Sequence, residues 1–188
     1  MNKKTLLIIF LCVAVIQIAV PFQMILSREI TLDKGKLFRF KTAPVDPFDA
    51  FRGRYLALSI EQNVIPLQNN AVFQNGQVVY VHVYEGADGF AKIDWATPLP
   101  PSQENDYIEA RVKYTNTSSS QVFLQMPFER YYINEKLAPK AEEAYNKANR
   151  RGEKNRTYIT VYVKSGKAVI DNLYIEDTPI IEYIKKRS

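Results

Sequence analysis

The stretch QVVYVHVY, residues 77–84, decides the fold class of this chain. Valine occupies the odd positions from 79 to 83, whereas Tyr80, His82 and Tyr84 occupy the even positions. Successive side chains of a β-strand point to opposite faces, so this alternation predicts a strand with an apolar inner face and an aromatic outer face. On such an outer face we expect His82 to be a solvent-facing or cross-strand residue.

The same two-residue period recurs along most of the remaining chain. Turn signals separate the runs, and Ser165-Gly166 lies between two strong strand patterns, which predicts a hairpin. Regularly spaced strands with short turns predict a mostly β domain, an antiparallel sheet closed as a barrel or packed as a sandwich. The other predicted strands are Lys36–Thr42, Arg54–Glu61, Phe90–Ala96, Tyr107–Tyr114, Val122–Met126, Thr157–Lys164 and Lys167–Ile175.

One segment near residues 138–151 has a helical pattern instead. Pro139 suits the first turn of a helix, and Gly152 follows its predicted end. We expect this helix to follow a strand that ends near Tyr132 and to cover one face or edge of the sheet. Its predicted buried stripe consists of Ala141, Ala144, Tyr145 and Ala148.

The first part of the chain has neither the two-residue period of the strands nor the amphipathic helical pattern of residues 138–151. Residues 5–26, TLLIIFLCVAVIQIAVPFQMIL, are 22 consecutive uncharged residues. A helix of this length spans roughly 33 Å, enough to cross a hydrocarbon core of about 30 Å. No small-x-small cleavage site follows, which favours an uncleaved anchor over a secretory signal peptide. The sequence therefore predicts a membrane anchor at residues 1–27 and a single mostly β domain at residues 28–188.

The orientation of this anchor does not follow from charge. Lys3 and Lys4 precede the apolar run and five basic residues between 28 and 41 follow it, so the positive-inside rule favours neither side. Long domains translocate largely regardless of their charge, and the absence of cysteine after Cys12 suits an oxidising exterior. We therefore expect a single-pass protein in the lipid bilayer with most of its chain on the extracytoplasmic side.

Composition excludes several classes of protein and of site. The net charge of +5 over 188 residues is mild and lacks the clustered excess of a nucleic-acid-binding domain, so we expect no nucleic acid partner. A single cysteine excludes an intramolecular disulfide and, with the single histidine, a Cys/His zinc site. Acidic residues between Asp88 and Glu109 match no calcium loop, which favours a solvated loop rim. We predict no metal and no cofactor.

Membrane-anchored β domains include signal peptidases and sortases, and neither class fits. Ser27 lies beside Arg28, Ser59 lies on a polar strand face, and Lys34 and Lys36 lack the apolar setting of a catalytic lysine. A sortase needs a catalytic cysteine, and the only cysteine lies inside the apolar run. A general-base role for His82 would need an orienting carboxylate, for which the nearby sequence supplies only Glu85. The sequence therefore predicts no catalytic residue, and it favours a non-enzymatic protein over an enzyme.

The densest conformational restraints lie in residues 44–58, PVDPFDAFRGRYLAL. Pro47 restrains its predecessor to an extended backbone, and Gly53 permits a positive φ or a close backbone approach. A stapled turn with the Tyr55 ring buried is our first interpretation, and a dock for a peptide or an anion is the second. The residues on which both interpretations depend are Asp46, Asp49, Arg52, Gly53, Arg54, Tyr55 and Leu58.

Residues 52–60 of this segment, RGRYLALSI, resemble the motif of the membrane-anchored GDYXXLXY protein family. Gly53, Tyr55 and Leu58 match that motif, whereas Arg54 stands in place of Asp and Ile60 in place of the last Tyr. The family has no established activity to carry over.

The resemblance extends beyond the motif over nearly the whole chain. It includes the anchor, the stretch FERYYINE with Glu129, Arg130 and Tyr131, and the late strand Ala168–Glu176. Family members are often associated with multi-spanning membrane proteins, so the resemblance implies an anchored architecture and such a protein as a partner.

Two hypotheses of function follow. The first is a non-enzymatic anchored module that binds a membrane protein or an envelope component through surface tyrosine and arginine, the residue types enriched at binding hot spots. The alternative is an envelope enzyme with acid–base chemistry. The residues predicted for the alternative are Asp46, Asp49, Arg52, Glu129 and Arg130.

Overall fold

The computed structural model of the protein describes residues 2–43, 55–67, 73–101, 106–149 and 157–186. Its helices and strands, in chain order, are α1 (Lys3–Lys34), β1 (Lys36–Ala43), β2 (Tyr55–Ala57), β3 (Ser59–Ile60), β4 (Val64–Pro66), β5 (Val78–Glu85), β6 (Ala91–Thr97), β7 (Tyr107–Asn116), β8 (Gln121–Gln125), β9 (Arg130–Tyr132), α2 (Ala138–Ala148), β10 (Thr157–Lys164), β11 (Lys167–Ile175), β12 (Thr178–Pro179) and α3 (Ile180–Lys186).

The β domain contains two five-stranded sheets and one short strand pair, and every pair of strands within them is antiparallel. One sheet has the order β12-β11-β10-β1-β3 and the other the order β4-β8-β7-β5-β6, while β2 pairs with β9. Glu109 at the start of β7 donates its backbone N–H to the Gly166 carbonyl oxygen (2.8 Å), which joins the two large sheets at one end. The predicted fold class is confirmed, since one sheet curves nearly into a barrel.

The core lies between these sheets and consists of the alternating residues that the sequence predicts. Val79, Val81 and Val83 of β5 are at most 1% exposed, and Phe38 and Phe40 of β1 are buried in the same cluster. Strand β10 departs from strict alternation, because its first five residues are all buried. As an inner strand of its sheet with packing on both faces, β10 loses the half-polar pattern of a solvent-facing strand.

The β10–β11 hairpin forms where the sequence predicts it. Lys164 pairs with Lys167 across a two-residue turn in which Ser165 and Gly166 have φ angles of 48° and 82°. Two successive positive φ angles match the right-handed twist of the flanking strands, and glycine accepts the second at little cost. This hairpin is the longest strand pair connected by a tight turn, and it supports the end of α1.

The predicted strand at 54–61 is in fact two short strands that belong to different sheets. Residues Tyr55–Ala57 pair with β9, whereas Ser59–Ile60 pair with β1, and Leu58 lies between them. Alternation continues through the change, since Leu56, Leu58 and Ile60 are all buried. The sequence did not predict β4, β12 or α3, each of which is at most seven residues long.

Helix α2 confirms the predicted helical segment and its buried stripe. It begins at Ala138 with proline in its first turn and ends at Ala148, while residues 150–151 of the prediction lie outside the described residues. Tyr145 is 1% exposed and its hydroxyl donates to the Ala43 carbonyl oxygen (3.3 Å), so α2 is tied to the end of β1. Burial raises the pKa of Tyr145 to about 12.

Helix α1 is continuous from Lys3 to Lys34, so the predicted boundary between 27 and 28 falls inside a helix. Within the described residues it is the one helix long and apolar enough to cross a membrane. Its large apolar side chains up to Leu26 are exposed, and burial begins only at Thr31, which packs beside β10 and β11. A Cβ at Gly35 would clash with the Thr31 carbonyl oxygen, so the close turn from α1 into β1 requires glycine.

Candidate functional site

Two short strands bring together the described residues that the sequence predicts as a site. β2 and β9 pair with Tyr55 opposite Tyr132, and the Leu58 amide donates to the Glu129 carbonyl oxygen (2.9 Å). We name residues Tyr55–Leu58 and Glu129–Tyr132 the motif ladder. The other predicted site residues, Asp46, Asp49, Arg52, Gly53 and Arg54, lie outside the described residues.

The inner face of the motif ladder is part of the hydrophobic core. Leu56 and Leu58 are 2% and 5% exposed, and Tyr131 packs beside them. The Tyr131 hydroxyl donates to Asn172 Oδ1 of β11 (3.1 Å), which gives the buried phenol a partner. Burial, with a smaller contribution from the Asp171 carboxylate, raises the pKa of Tyr131 above its usual value.

The outer face carries a compact group of one arginine and two tyrosines. The Arg130 guanidinium lies 4.9 Å from the centre of the Tyr55 ring, and the Tyr55 and Tyr132 rings meet edge to face at 5.9 Å. Tyr132 is 68% exposed. We name Tyr55, Arg130 and Tyr132 the Tyr–Arg patch.

The expectation that the Tyr55 ring is buried in the core is wrong. Tyr55 is only half-buried, because the pleat of β2 gives the inner positions to Leu56 and then Leu58. The buried tyrosine of the ladder is Tyr131, which the sequence identified only through the family resemblance. Its burial follows from the register of β9 against β2, in which Tyr131 lies opposite Leu56.

A cleft of about 640 Å³ lies beside the motif ladder, between α1 on one side and β9 and β11 on the other. We name it the α1 cleft. Arg28 from α1, Arg130 from β9 and Lys167 from β11 are its cationic lining residues, and Asp171 is the acidic one. The Lys167 ammonium donates to the Ser27 hydroxyl, which fixes the hairpin against the helix. The cleft therefore has an excess of positive charge.

A bulge in β11 shapes the far wall of this cleft. The pairing of β10 with β11 shifts between Thr160 and Val161, which leaves Asp171 as the extra residue. The Thr160 hydroxyl donates to the Asp171 carboxylate (3.1 Å), and the next residue, Asn172, accepts from Tyr131. Bulges re-aim side chains, and this one turns two consecutive polar residues toward the ladder and the cleft.

A second cluster lies on the outer face of β5 and β6. The His82 Nδ1 atom is 2.8 Å from Asp94 Oδ1, and its ring stacks on Trp95 (5.1 Å between ring centres, 8° between planes) and on Tyr84 (5.8 Å). The expected cross-strand environment of His82 is thus found. Its carboxylate partner is Asp94 rather than Glu85, because a register shift between Val81 and Val83 aligns Asp94 and Trp95 with a single residue of β5.

Among the described acidic residues between 88 and 109, Asp88 and Asp106 pair individually with lysines. Asp88 contacts Lys41 (2.9 Å) and Lys92 (3.5 Å), and Asp106 contacts Lys36 (2.6 Å). The hydrogen bond from Lys41 is the largest cause that lowers the pKa of Asp88 to about 2. Within the described ranges no three His, Cys, Asp or Glu side chains form a group that could hold a metal ion.

These features define a class of protein: a β-rich domain carried on one long apolar N-terminal helix, with a charged cleft where the two meet. The chain belongs to the family described as GDYXXLXY protein, whose match covers residues 17–173. That range includes the end of α1 and the whole motif ladder. No curated protein and no solved structure matches the chain.

Proposed function

We propose that this protein is a single-pass membrane protein whose β domain lies on the extracytoplasmic side and binds a multi-spanning membrane protein through the Tyr–Arg patch. The observation that carries this proposal is the exposed Tyr–Arg patch at the mouth of the α1 cleft, next to the end of the apolar helix. Three separate features support the proposal: the exposure of α1, the short connection between α1 and the β domain, and the residue types of the patch.

The exposure of α1 supports the anchor. Large apolar side chains from Leu6 to Leu26 are turned outward all round the helix and are exposed, and only the last of them, near Met24 and Leu26, lie beside the β domain. Leaving such a surface in water is unfavourable by about 25 cal/mol per Å², whereas a bilayer accommodates it. A continuous helix of this length needs no other support to span the hydrocarbon core.

The continuity of α1 supports a short, stiff connection between the bilayer and the domain. Only four residues separate Leu26, the last of the uncharged run, from the buried Thr31, a rise of about 8 Å. The β domain is therefore held close to the membrane surface rather than on a long tether. A patch at the base of such a domain reaches the extramembrane loops of a neighbouring membrane protein.

The chemistry of the patch supports protein binding. Tyr and Arg are enriched among the residues that dominate binding energy, and tyrosine loses little conformational entropy when it is covered. Arg130 and Tyr55 already hold each other in place across the ladder, so the patch is preorganised. Gln17, near the middle of the apolar run, adds an amide that gains from a hydrogen bond to a partner helix inside the membrane.

The acid–base alternative stays a prediction from the sequence. Three of its five residues, Asp46, Asp49 and Arg52, lie outside the described residues. Glu129 directly precedes β9, and Arg130 is the first residue of that strand. Arg130 contacts the Tyr55 ring and lies beside an open cleft.

A photo-crosslinking residue in place of Tyr132 tests the proposal in the native membrane. We expect it to capture a membrane protein with several spans, and we expect Arg130→Gln to weaken co-purification of that protein in mild detergent about tenfold or more. Tyr84 is the matched control, because it is 42% exposed and stacks on His82 in the separate cluster of β5 and β6.

Equal capture of the same protein from position 84 would contradict the proposal. So would an Arg130→Gln variant that retains the partner at the parent level.

A further inference from the structure

We infer that the α1 cleft binds the phosphate of an anionic phospholipid headgroup, while an acyl chain of the same lipid lies along the neighbouring face of α1. This inference rests on the membrane-anchored part of the proposed function and does not involve the protein partner. It is independent of the exposed tyrosines of the patch.

The charge of the cleft is complementary to a phosphate. Arg28, Arg130 and Lys167 line it, against the single carboxylate of Asp171. Among the described residues no carboxylate lies within ion-pair distance of the Arg28 guanidinium, which is exposed. Guanidinium and ammonium groups form short, charge-assisted hydrogen bonds with phosphate oxygens.

The position of the cleft along α1 matches the depth of lipid headgroups. The uncharged run ends at Leu26, and Ser27 and Arg28 of the cleft follow it directly. At about 1.5 Å per residue, Arg28 lies about 3 Å beyond the end of the run. The polar layer on each side of a bilayer is roughly 5–8 Å thick, so Arg28 lies within it.

A second groove makes the site suited to an amphipathic ligand. It has a volume of about 360 Å³ and is lined by Leu26 and Ile30 of α1 and by Lys164 and Lys167 of the hairpin. The residues that the groove and the α1 cleft share are Gln23, Ser27, Thr31 and Lys167. A phosphate in the cleft therefore lies next to apolar surface on which the first part of an acyl chain can pack.

The excess of positive charge selects among lipids. A headgroup such as phosphatidylglycerol brings one net negative charge, whereas phosphatidylcholine brings a trimethylammonium group that the three cations repel. Basic residues near a membrane contribute about 1 kcal/mol each to the binding of anionic lipid. The cleft is thus expected to prefer the anionic headgroup over the zwitterionic one.

The test uses the purified full chain in mild detergent without any partner protein. Short-chain phosphatidylglycerol is titrated against the parent and against the double variant Arg28→Gln/Lys167→Gln, with phosphatidylcholine and inorganic phosphate as parallel titrants. We expect the double variant to bind phosphatidylglycerol about 30-fold more weakly than the parent. Phosphatidylcholine and free phosphate are expected to bind the parent at least tenfold more weakly than phosphatidylglycerol.

Two further variants separate the site from net charge and from folding. Lys113→Gln/Lys147→Gln removes the same charge from exposed positions outside the cleft and is expected to bind like the parent. Arg28→Lys/Lys167→Arg keeps both charges and is expected to retain binding, which would be lost if the site had simply unfolded.

Equal binding by the parent and the Arg28→Gln/Lys167→Gln variant would overturn the inference. Equal binding of phosphatidylcholine would also overturn it, as would free phosphate that binds as tightly as the lipid. Because Arg28 and Lys167 lie outside the Tyr–Arg patch, loss of lipid with intact crosslinking at Tyr132 would leave the proposed function standing, and the converse result would leave the lipid site standing.

Discussion

The inner and outer faces of the motif ladder differ in what they contribute to the protein. On the inner face, Leu56, Leu58 and Tyr131 are all below 10% exposed and contact the common core. On the outer face, Arg130 and Tyr132 are exposed and Tyr55 is half-buried. Two strands of three residues each therefore serve two purposes, because successive side chains point to opposite sides. The inner face stabilises the fold, and the outer face is available for binding.

The largest expected difference between the faces is in the free energy of unfolding. Leu56→Ala removes a side chain that is 2% exposed and leaves a cavity, so we expect a loss of about 2–5 kcal/mol. Tyr55→Ala, the neighbouring position on the outer face, loses the edge-to-face contact with Tyr132 and the Arg130 contact and is expected to cost about 1–2 kcal/mol. Urea unfolding of the full chain in mild detergent, followed by near-UV circular dichroism, measures both.

Tyr132→Ala serves as the control for these two variants. At 68% exposure its ring is mostly in solvent, and its removal is expected to change stability by no more than about 0.5 kcal/mol. If Tyr55→Ala proves as destabilising as Leu56→Ala, the division of labour between the two faces is wrong.

A smaller effect is expected for the hydroxyl of the buried tyrosine. Tyr131→Phe keeps the ring in the core but leaves Asn172 Oδ1 without this donor, so we expect a loss of about 0.5–1.5 kcal/mol. Folding raises the pKa of Tyr131, so the neutral phenol stabilises the folded state. This stabilisation is complete below the ordinary tyrosine pKa of about 10 and disappears as the pH rises through the higher folded-state pKa.

Unfolding curves of the parent and of Tyr131→Phe at neutral and alkaline pH measure this effect. The difference between them should shrink as the pH rises above about 10. A difference that grows instead would show that Tyr131 ionises more easily in the fold than in the unfolded chain, against the assignment of Tyr131 to the inner face.

The smallest effect concerns an exposed ion pair away from the ladder. The pKa of Asp88 is lowered from 3.8 to about 2, chiefly by the hydrogen bond from Lys41, so its ionised form stabilises the fold above pH 3.8 and this stabilisation disappears as the pH falls toward 2. The melting temperature of the parent should therefore decrease more between pH 5 and about pH 2.5 than that of Asp88→Asn. Equal decreases of the melting temperature in the two proteins would show that Asp88 does not contribute to the loss of stability in acid.

Periodicity predicted the elements whose pattern is local. The alternation at 77–84, the hairpin at Ser165-Gly166, the long apolar helix and the stripe of α2 are all present. Each of these depends on neighbours within a few residues, and such patterns are visible in the sequence. The segment at 54–61 has equally clear alternation, yet nothing in it indicates that β2 and β3 join different sheets.

The partners of the candidate site residues depend on register, which the sequence did not show. Asp94 lies 12 positions from His82 and reaches it only through the register shift of β6. Tyr131 and Asn172 are 41 positions apart and meet because β9 lies beside the bulge of β11. Sequence alternation predicts which face of its strand a residue occupies, but it does not predict which residue of the neighbouring strand lies opposite.

The sequence by itself determined that this chain has a 22-residue apolar segment, that the rest is mostly β, and which side of each alternating strand faces the core. These properties are local, since each follows from the spacing of apolar residues and the side-chain period of a helix or strand. Only the tertiary structure decided that α1 continues into the domain, that Arg28, Arg130 and Lys167 line one cleft, and that Tyr131 rather than Tyr55 is the buried ring of the ladder. These facts depend on which distant segments pack together, and that choice is made by the total free energy of the fold rather than by any one segment.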